Sequence, residues 1–185
     1  FDVSVQLTQT LMSVEERGSS FKAAAGFEIL SGTATDETGD NHSFSPLYGT
    51  NHLYNGYMDL FFVGGRFENS VGLQDYYLKG RYQFGPRLFT QLDAHLFFAQ
   101  ADVKQPNNMN QLQTLDPYLG TEIDVSIGFI LNRALSIQGG YSQMLPASTL
   151  ETLQGKDSYK DMQNWAYLML IFRPTMKNRF IGILF

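Results

Sequence analysis

His95 stands two positions after Asp93, so both side chains share one face if this segment is a β-strand. A carboxylate beside an imidazole can orient it for general base catalysis. Such pairs also line polar interiors without doing chemistry, and no serine carries the sequence context of a nucleophile. We therefore predict a protein that is not an enzyme. The sequence also leaves open a barrel enzyme that hydrolyses lipid, with His95 or His52 as its general base.

The sequence gives little support for metal chemistry. The three histidines, His42, His52 and His95, lack metal-ligand spacing, and the chain has no cysteine. One loop carries four oxygen-bearing residues, namely Asp36, Glu37, Asp40 and Asn41, but without the spacing of an EF-hand. We predict no metal site and no cofactor.

The element that must position these side chains is a strand with period-two alternation. Every second residue from position 119 to 131 forms one largely apolar set: Leu119, Thr121, Ile123, Val125, Ile127, Phe129 and Leu131. The residues between them are Gly120, Glu122, Asp124, Ser126, Gly128 and Ile130. A strand of this kind has one apolar face and one face of glycine, serine and carboxylate. Asn132 and Arg133 then link it to a second alternating run, which predicts a tight hairpin from Tyr118 to Tyr141.

Similar alternation extends over most of the chain. We predict further strands from Phe1 to about Met12 and over 20–31, 56–66, 71–84, 87–101 and 163–173, and we interpret 179–185 as either a short ninth segment or a terminal extension. Residues 32–55, 102–116 and 146–162 are predicted to be loops. The sequence thus indicates an all-β, antiparallel protein with a single domain over 1–185.

Alternation alone leaves open which face meets water. A soluble lipocalin-like barrel buries its apolar face, whereas an outer-membrane barrel turns that face to lipid. The segments are closer to the ~9–11 residues of a membrane-crossing strand than to the usual ~5–6. Aromatic residues make up 14% of the chain and suit the girdles of a membrane barrel. Five of them are predicted interface anchors on the lipid face, namely Tyr76, Tyr82, Tyr141, Trp165 and Tyr167. We predict a transmembrane β-barrel of about eight strands.

Charge and hydropathy narrow the possible partners. The formal charge is −5, so the electrostatic attraction that drives nucleic-acid binding is absent. No run of ~18 apolar residues predicts a membrane helix or a signal-peptide core. Because the chain begins at Phe1 in an alternating strand, we expect a mature or truncated chain.

The predicted location is the cell envelope, in the bacterial outer membrane.

The predicted links also differ in length. From the fourth strand onward, short links at 85–86 and 132–133 alternate with long ones at 102–116 and 146–162. Outer-membrane barrels sort short turns and long loops to opposite ends in this way. Residues 32–55 are the exception, since the same count places this long loop at the short-turn end.

Two stretches resemble a known family. The run from Phe44 to Asp59 and the run from Gly72 to Lys79 are similar to the alginate-export family of porin-like outer-membrane barrels. The matching positions are His52, Gly56, Asp59, Gln74 and Asp75. The family's barrels are much larger, so the resemblance implies that this chain is the C-terminal half of such a barrel or a smaller relative. It also implies passive transport.

The charges on the predicted lumen face indicate which solutes the channel would pass. Its charged and imidazole residues are Lys22, Glu28, Asp59, Asp75, Lys79, Arg81, Asp93, His95, Glu122 and Asp124. Three bases against six acids argue against an anionic polysaccharide. We predict a channel for passive transport of small or oligomeric polar solutes, saccharides included, with membrane lipid around it. The alternatives are a soluble lipocalin-like binding barrel and a small, non-conducting structural barrel, whose interior would be filled by side chains.

Overall fold

The structure of the protein, a computed structural model, describes residues 1–14, 16, 18–45, 55–61, 70–106, 110–155 and 163–173. These residues form an all-β protein with one short helix, α1 (Ser148–Leu153). The strands are β1 (Asp2–Val14), β2 (Ser19–Leu30), β3 (Leu73–Gln83), β4 (Leu88–Phe98), β5 (Lys104–Pro106), β6 (Leu112–Thr114), β7 (Tyr118–Ile130), β8 (Leu135–Pro146) and β9 (Gln163–Phe172). The prediction of an all-β, antiparallel fold is confirmed.

Seven long strands form one antiparallel meander in the order β1-β2-β3-β4-β7-β8-β9. They contain 10 to 13 residues each. Among the described residues no sheet closes on itself, so β1 and β9 are the two edges of this meander. The two remaining strands, β5 and β6, pair separately in a small hairpin.

The predicted third strand, Gly56–Arg66, is wrong over its described part. Residues 55–61 form turns, and residues 62–66 lie outside the described residues. The physical reason is the backbone conformation at Asn55, Gly56 and Asp59, where φ is 57°, 83° and 53°. Positive φ values turn the chain sharply and are incompatible with an extended strand.

Removing that strand changes the connectivity. Among the described residues no strand lies between β2 and β3, so the connection between them extends over 31–72. The connections β2–β3, β4–β7 and β8–β9 therefore all lie at one end of the meander, and the short turns after β1, β3 and β7 lie at the other. The prediction placed the long loop 32–55 at the short-turn end only because it counted a strand at 56–66. With the strands that the described residues form, the three long connections lie at one end.

Two predicted loops contain regular structure. Within 102–116 lie β5 and β6, and within 146–162 lies α1. A six-residue helix and two three-residue strands are too short to leave a periodic signal in the sequence. The ninth segment, 179–185, lies outside the described residues.

A small apolar cluster closes the end where the long connections lie. Its buried members are Leu30, Phe61, Val71, Leu73, Phe97, Ala99, Val103, Leu119, Met144 and Leu150. Phe61 of the β2–β3 connection packs on Phe97 of β4, with ring centroids 4.4 Å apart. The connections are thus anchored to the strand ends by apolar contacts. No helix among the described residues is long and apolar enough to span a bilayer.

Candidate functional site

The two faces of the sheet are inverted relative to a water-soluble sandwich. On β7, Ile123, Val125 and Ile127 are 38%, 43% and 53% exposed, whereas Glu122 and Asp124 are 0% and 2% exposed. We call the first surface the apolar face and the second the enclosed face. Leu78, Leu92 and Leu168 are likewise exposed on the apolar face, whereas the edge strand β1, which includes Leu7, is exposed on both faces.

Strand register arranges the enclosed face in rows of residues that face one another across the sheet, and four consecutive rows cross its middle. Row one contains Ser4, Glu28, Asp75 and Phe97. Row two contains Gln6, Gly26, Tyr77, His95, Glu122, Met144 and Gln163. Row three contains Thr8, Ala24, Lys79, Asp93, Asp124, Ser142 and Trp165. Row four contains Thr10, Lys22, Arg81, Gln91, Ser126, Gly140 and Tyr167.

Acidic and basic side chains of the enclosed face lie at different positions along the strands. The five carboxylates Glu28, Asp75, Asp93, Glu122 and Asp124 lie in rows one to three, nearest the long connections. Lys22 and Arg81 face each other in row four, nearer the short turns. Between them, Lys79 lies in row three with its Nζ 4.7 Å above the Tyr77 ring. The enclosed face therefore has an acidic half and a basic half.

His95 pairs with Asp75 rather than with Asp93. The Nδ1 atom of His95 lies 2.9 Å and 3.0 Å from the two carboxylate oxygens of Asp75 on the neighbouring strand, and both residues are buried. Asp93 instead accepts two hydrogen bonds from Nε2 of Gln91, at 2.9 Å and 3.1 Å. The i, i+2 spacing placed Asp93 on the correct face, but cross-strand register decided which carboxylate reaches the imidazole.

The described hydrogen bonds give His95 no nucleophile to activate. Among the described residues, none of the serine and threonine hydroxyl groups is hydrogen-bonded to this imidazole. Its ring lies between two aromatic rings, with the Tyr77 and Phe97 centroids each 5.6 Å away. This setting matches the interpretation of His95 as polar lining.

Residues 55–61, which we call the inner segment, dock on the carboxylates. The backbone N–H of Met58 donates to Oε1 of Glu122 at 2.9 Å, and that of Tyr57 donates to Oδ2 of Asp124 at 3.4 Å. The side chain of Asn55 donates to Glu28 at 2.5 Å. A turn at positive φ exposes consecutive N–H groups, which is why this segment can satisfy buried carboxylates.

Gly56 is required by this docking. Its φ of 83° suits glycine, and an added Cβ would lie 2.5 Å from Oε1 of Glu122. Tyr57, next to it, reaches across the enclosed face to Tyr167, with ring centroids 6.4 Å apart. Burial, followed by the neighbouring Tyr167 and Asp93, raises the pKa of Tyr57 above its ordinary value.

Two adjoining polar cavities lie between the inner segment and the strands. The first, of about 180 Å³, is lined by Gly56, Tyr57, Lys79, Gln91, Asp93, His95 and Asp124. The second, of about 270 Å³, is lined by Ser4, Gln6, Glu28, Asn55, Asp75, Tyr77, Lys79 and His95. Because Lys79 and His95 line both cavities, we treat them as one space and call it the chamber.

Two buried carboxylate oxygens remain without hydrogen bonds from the described residues. They are Oε2 of Glu122 and Oδ1 of Asp124. Asp124 lines the first cavity. A buried acceptor without a donor is costly, and a proton shared between these two neighbouring carboxyl groups would satisfy both atoms.

Most predicted lumen residues meet in this chamber or beside it. Asp59 does not belong to the predicted strand, because it lies on the inner segment at positive φ. Gln74 lies on the apolar face, where it accepts a hydrogen bond from the hydroxyl group of Tyr76 at 3.1 Å. His52 lies outside the described residues. Arg81 lies in row four, over the ring of Phe89 and 3.3 Å from Gln91.

Some chamber residues carried no sequence signal. Asn55 and Tyr57 belong to a segment predicted as loop and strand, so their inward docking was not foreseen. Trp165 and Tyr167 lie on the enclosed face, which contradicts their prediction as lipid-face anchors. Both faces of β9 are apolar in sequence, so its alternation could not fix its orientation. Tyr76 and Tyr141 do lie on the apolar face, 42% and 45% exposed.

Comparison with known proteins gives no relative to argue from. No family model matches the sequence, and searches of the curated proteins and of the solved structures found no match.

Proposed function

We propose that this chain forms the wall of an outer-membrane β-barrel that passes polar solutes by diffusion. The observation that carries the proposal is the inversion of the two faces, with leucine, isoleucine and valine exposed and four carboxylates buried. Exposed apolar side chains are costly in water and favourable in lipid, whereas enclosed carboxylates need a polar interior. A lipocalin-like binding protein would require the opposite arrangement.

Strand length and connection length support the same proposal. Strands of 10 to 13 residues reach the ~9–11 needed by a tilted strand to cross a bilayer. Long connections gathered at one end and short turns at the other are typical of outer-membrane barrels. The strands are therefore long enough to cross a bilayer, and the long connections all lie at one end of them.

The chamber favours neutral or cationic solutes over anions. Its carboxylates would repel an anionic chain, while its amide, hydroxyl and aromatic groups offer hydrogen bonds and flat surfaces to a saccharide. The basic pair in row four, Lys22 and Arg81, lies beyond the chamber toward the short turns.

A small, non-conducting barrel is the second candidate, and one observation favours it. The inner segment occupies the enclosed face, and the apolar cluster around Phe61 closes the end with the long connections. Loops of this kind plug some barrels entirely. In that case the chain would be structural, and the chamber would be a closed cavity.

Single-cysteine labelling tests the orientation of the faces, because the chain has no cysteine of its own. The protein is folded into lipid vesicles and labelled on β7 at Val125→Cys or, as the matched neighbour, Ser126→Cys. We expect brominated lipid to quench the fluorophore at position 125 but not the one at 126. Equal quenching, or quenching only at 126, would contradict the proposal.

Planar-bilayer recording then separates the two candidates. The proposed conduit gives single-channel steps with a cation preference, because the carboxylates dominate the chamber. A membrane-inserted protein without conductance supports the non-conducting barrel.

A further inference from the structure

Two neighbouring carboxyl groups on β7 are buried beneath the inner segment, and we call them the carboxyl pair. Glu122 is 0% exposed and Asp124 is 2% exposed, and their side chains lie within hydrogen-bonding distance of each other. Oε2 of Glu122 and Oδ1 of Asp124 both lack a donor from the described residues. Two adjacent carboxylates repel each other when both are ionised, whereas one shared proton turns the contact into a hydrogen bond. The docked structure therefore requires one proton on the pair.

The surroundings of the carboxyl pair supply no positive charge that could replace this proton. The side chains around the pair are His95 and Asp93 from β4, Ser142 and Met144 from β8, Lys79 from β3, and Tyr57 from the inner segment, which also carries Asp59. His95 is held at Nδ1 by Asp75, and Asp93 adds a like charge opposite Asp124. Among the described residues, no lysine or arginine forms an ion pair with either member of the pair.

The same two carboxyl groups hold the inner segment in place. The backbone N–H groups of Met58 and Tyr57 donate to Glu122 and Asp124, at 2.9 Å and 3.4 Å. Gly56 lies so close to Glu122 that an added Cβ would be 2.5 Å from Oε1. The segment thus covers the pair and keeps its oxygens from water. A second negative charge under this cover would lack both a counter-ion and hydration, and such a charge is costly to bury.

We propose that the carboxyl pair is a pH-dependent switch that holds the inner segment on the enclosed face and releases it when the shared proton is lost. The docked state holds one proton more than the released state, so docking is favoured at low pH and weakens as the pH rises. Release would widen the polar path, because the inner segment forms one wall of the chamber. The inference deepens the proposed function as its regulation and rests on it only for the effect on conductance.

A nitroxide on the inner segment measures its release. The label is attached in denaturant at Met58→Cys, because the chain has no cysteine of its own, and the protein is then folded into lipid vesicles. Met58 contacts Glu122 through its backbone N–H, which the substitution keeps. Between about pH 5 and about pH 10, we expect the ratio of mobile to immobile label to rise about tenfold or more, with at most about tenfold per pH unit for the release of one proton. A label at Asp40→Cys, on an exposed loop, is expected to stay mobile throughout.

Glu122→Gln is the matched variant. Its amide keeps a donor toward Asp124 at every pH, and its carbonyl oxygen still accepts from Met58. We expect the label at position 58 to stay immobile over the whole pH range in this variant. Glu37→Gln makes the same change on the exposed loop and is expected to keep the response of the unchanged pair. Should Glu122→Gln fail to fold by circular dichroism, Asp124→Asn replaces it, with the same immobile label expected because its amide also supplies the shared donor.

Three results would overturn the switch. In the first two, the label at position 58 is equally immobile, or equally mobile, from the lowest to the highest pH. In the third, mobility rises as much in Glu122→Gln as in the unchanged pair, because the titrating group would then lie elsewhere.

Planar-bilayer conductance of the same preparation keeps the two proposals distinguishable. Label mobility that rises with pH in a protein without conductance supports the switch and counts against the conduit. Conductance in a protein whose label is immobile at every pH supports the conduit and overturns the switch.

Discussion

Gly56 is the residue on which the docking of the inner segment depends most directly. It combines a left-handed backbone with close contact to the Glu122 carboxyl group, where an added Cβ would lie 2.5 Å from Oε1. Two other glycines separate these effects. Gly155 has a φ of 64° with open space around its Cα, and Gly39 has open space without a positive φ.

We expect Gly56→Ala to destabilise the folded protein more than either control. The left-handed conformation alone costs roughly 1–2 kcal/mol for a residue with a Cβ, which predicts the loss in Gly155→Ala. Contact with Glu122 adds to this loss in Gly56→Ala, because the buried end of that side chain must shift to make room for the Cβ. Gly39→Ala is expected to be nearly neutral. Urea midpoints in lipid vesicles measure all three, and equal losses for Gly56→Ala and Gly155→Ala would refute the close contact.

Hydrogen bonds and an ion pair join the long connections to one another at their end of the sheet. The backbone N–H of Lys104, at the start of β5, donates to Oγ1 of Thr35 at 2.7 Å, and Nζ of Lys104 lies 2.9 Å from the Asp36 carboxylate. At the apolar cluster, Thr149 of α1 donates to the carbonyl of Asp116 at 2.6 Å. The β2–β3 connection is therefore joined to the β5–β6 hairpin by both backbone and side-chain contacts.

The ion pair in this network predicts a pH dependence. The hydrogen bond from Lys104 lowers the pKa of Asp36, and the same contact raises the pKa of Lys104. The Asp36 contribution to stability is therefore present above its unfolded pKa and is lost as the pH falls through the lower folded value. The Lys104 contribution is present below its unfolded pKa and is lost as the pH rises through the higher folded value. Both groups are exposed, so the effect on overall stability is small.

Titration followed by carboxyl NMR checks this contact. Lys104→Met is expected to return the pKa of Asp36 toward its ordinary value, whereas Lys104→Arg keeps a cation at the same place and preserves most of the shift. An unchanged Asp36 titration in Lys104→Met would show that the contact does not form in solution.

The whole molecule separates its interior charge, and this predicts ion selectivity. Replacing Glu122 and Asp124 with glutamine and asparagine removes the two carboxyl groups that bind the inner segment. We expect the permeability ratio of potassium over chloride to fall about twofold or more, and the double lysine variant to reverse the preference. The matched control is Glu37→Lys with Asp40→Lys, which makes the same charge change on the exposed β2–β3 loop. An equal change of the permeability ratio in the control would show that charges on the loops determine the selectivity.

The two sheet edges predict a further pairing in lipid. An unpaired strand edge leaves backbone N–H and C=O groups without partners, which hydrocarbon does not tolerate. Within the described residues, β1 pairs only with β2 and β9 only with β8. We expect the free edge of β1 to be paired in the membrane, by β9 or by other strands. Hydrogen exchange in vesicles measures this: uniformly slow β1 amides are expected, and alternate fast amides would show an open edge.

Much of this protein follows from alternation in its sequence. Period two over Leu119–Leu131 fixed β7, its hairpin with β8, and the separation of Ile123 from Glu122, because successive strand side chains must point to opposite faces. Alternation in the other long strands likewise placed Asp75, Lys79 and Asp93 on one face. Where both faces of a strand are apolar, as in β9, the same rule gave no orientation, and Trp165 and Tyr167 were misplaced.

Only the tertiary structure decided which of these residues meet. Register, which depends on the turns and bulges of the whole sheet, put His95 diagonally opposite Asp75, and the imidazole bonds to that carboxylate instead of to its sequence neighbour Asp93. The inner segment has no periodicity, and its conformation follows from long-range hydrogen bonds to Glu122 and Asp124, which are more than 60 positions away. Local sequence determines how a strand presents its side chains, whereas contacts between distant segments determine which buried groups find partners. The docking of the inner segment on Glu122 and Asp124 is therefore a property of the folded chain alone.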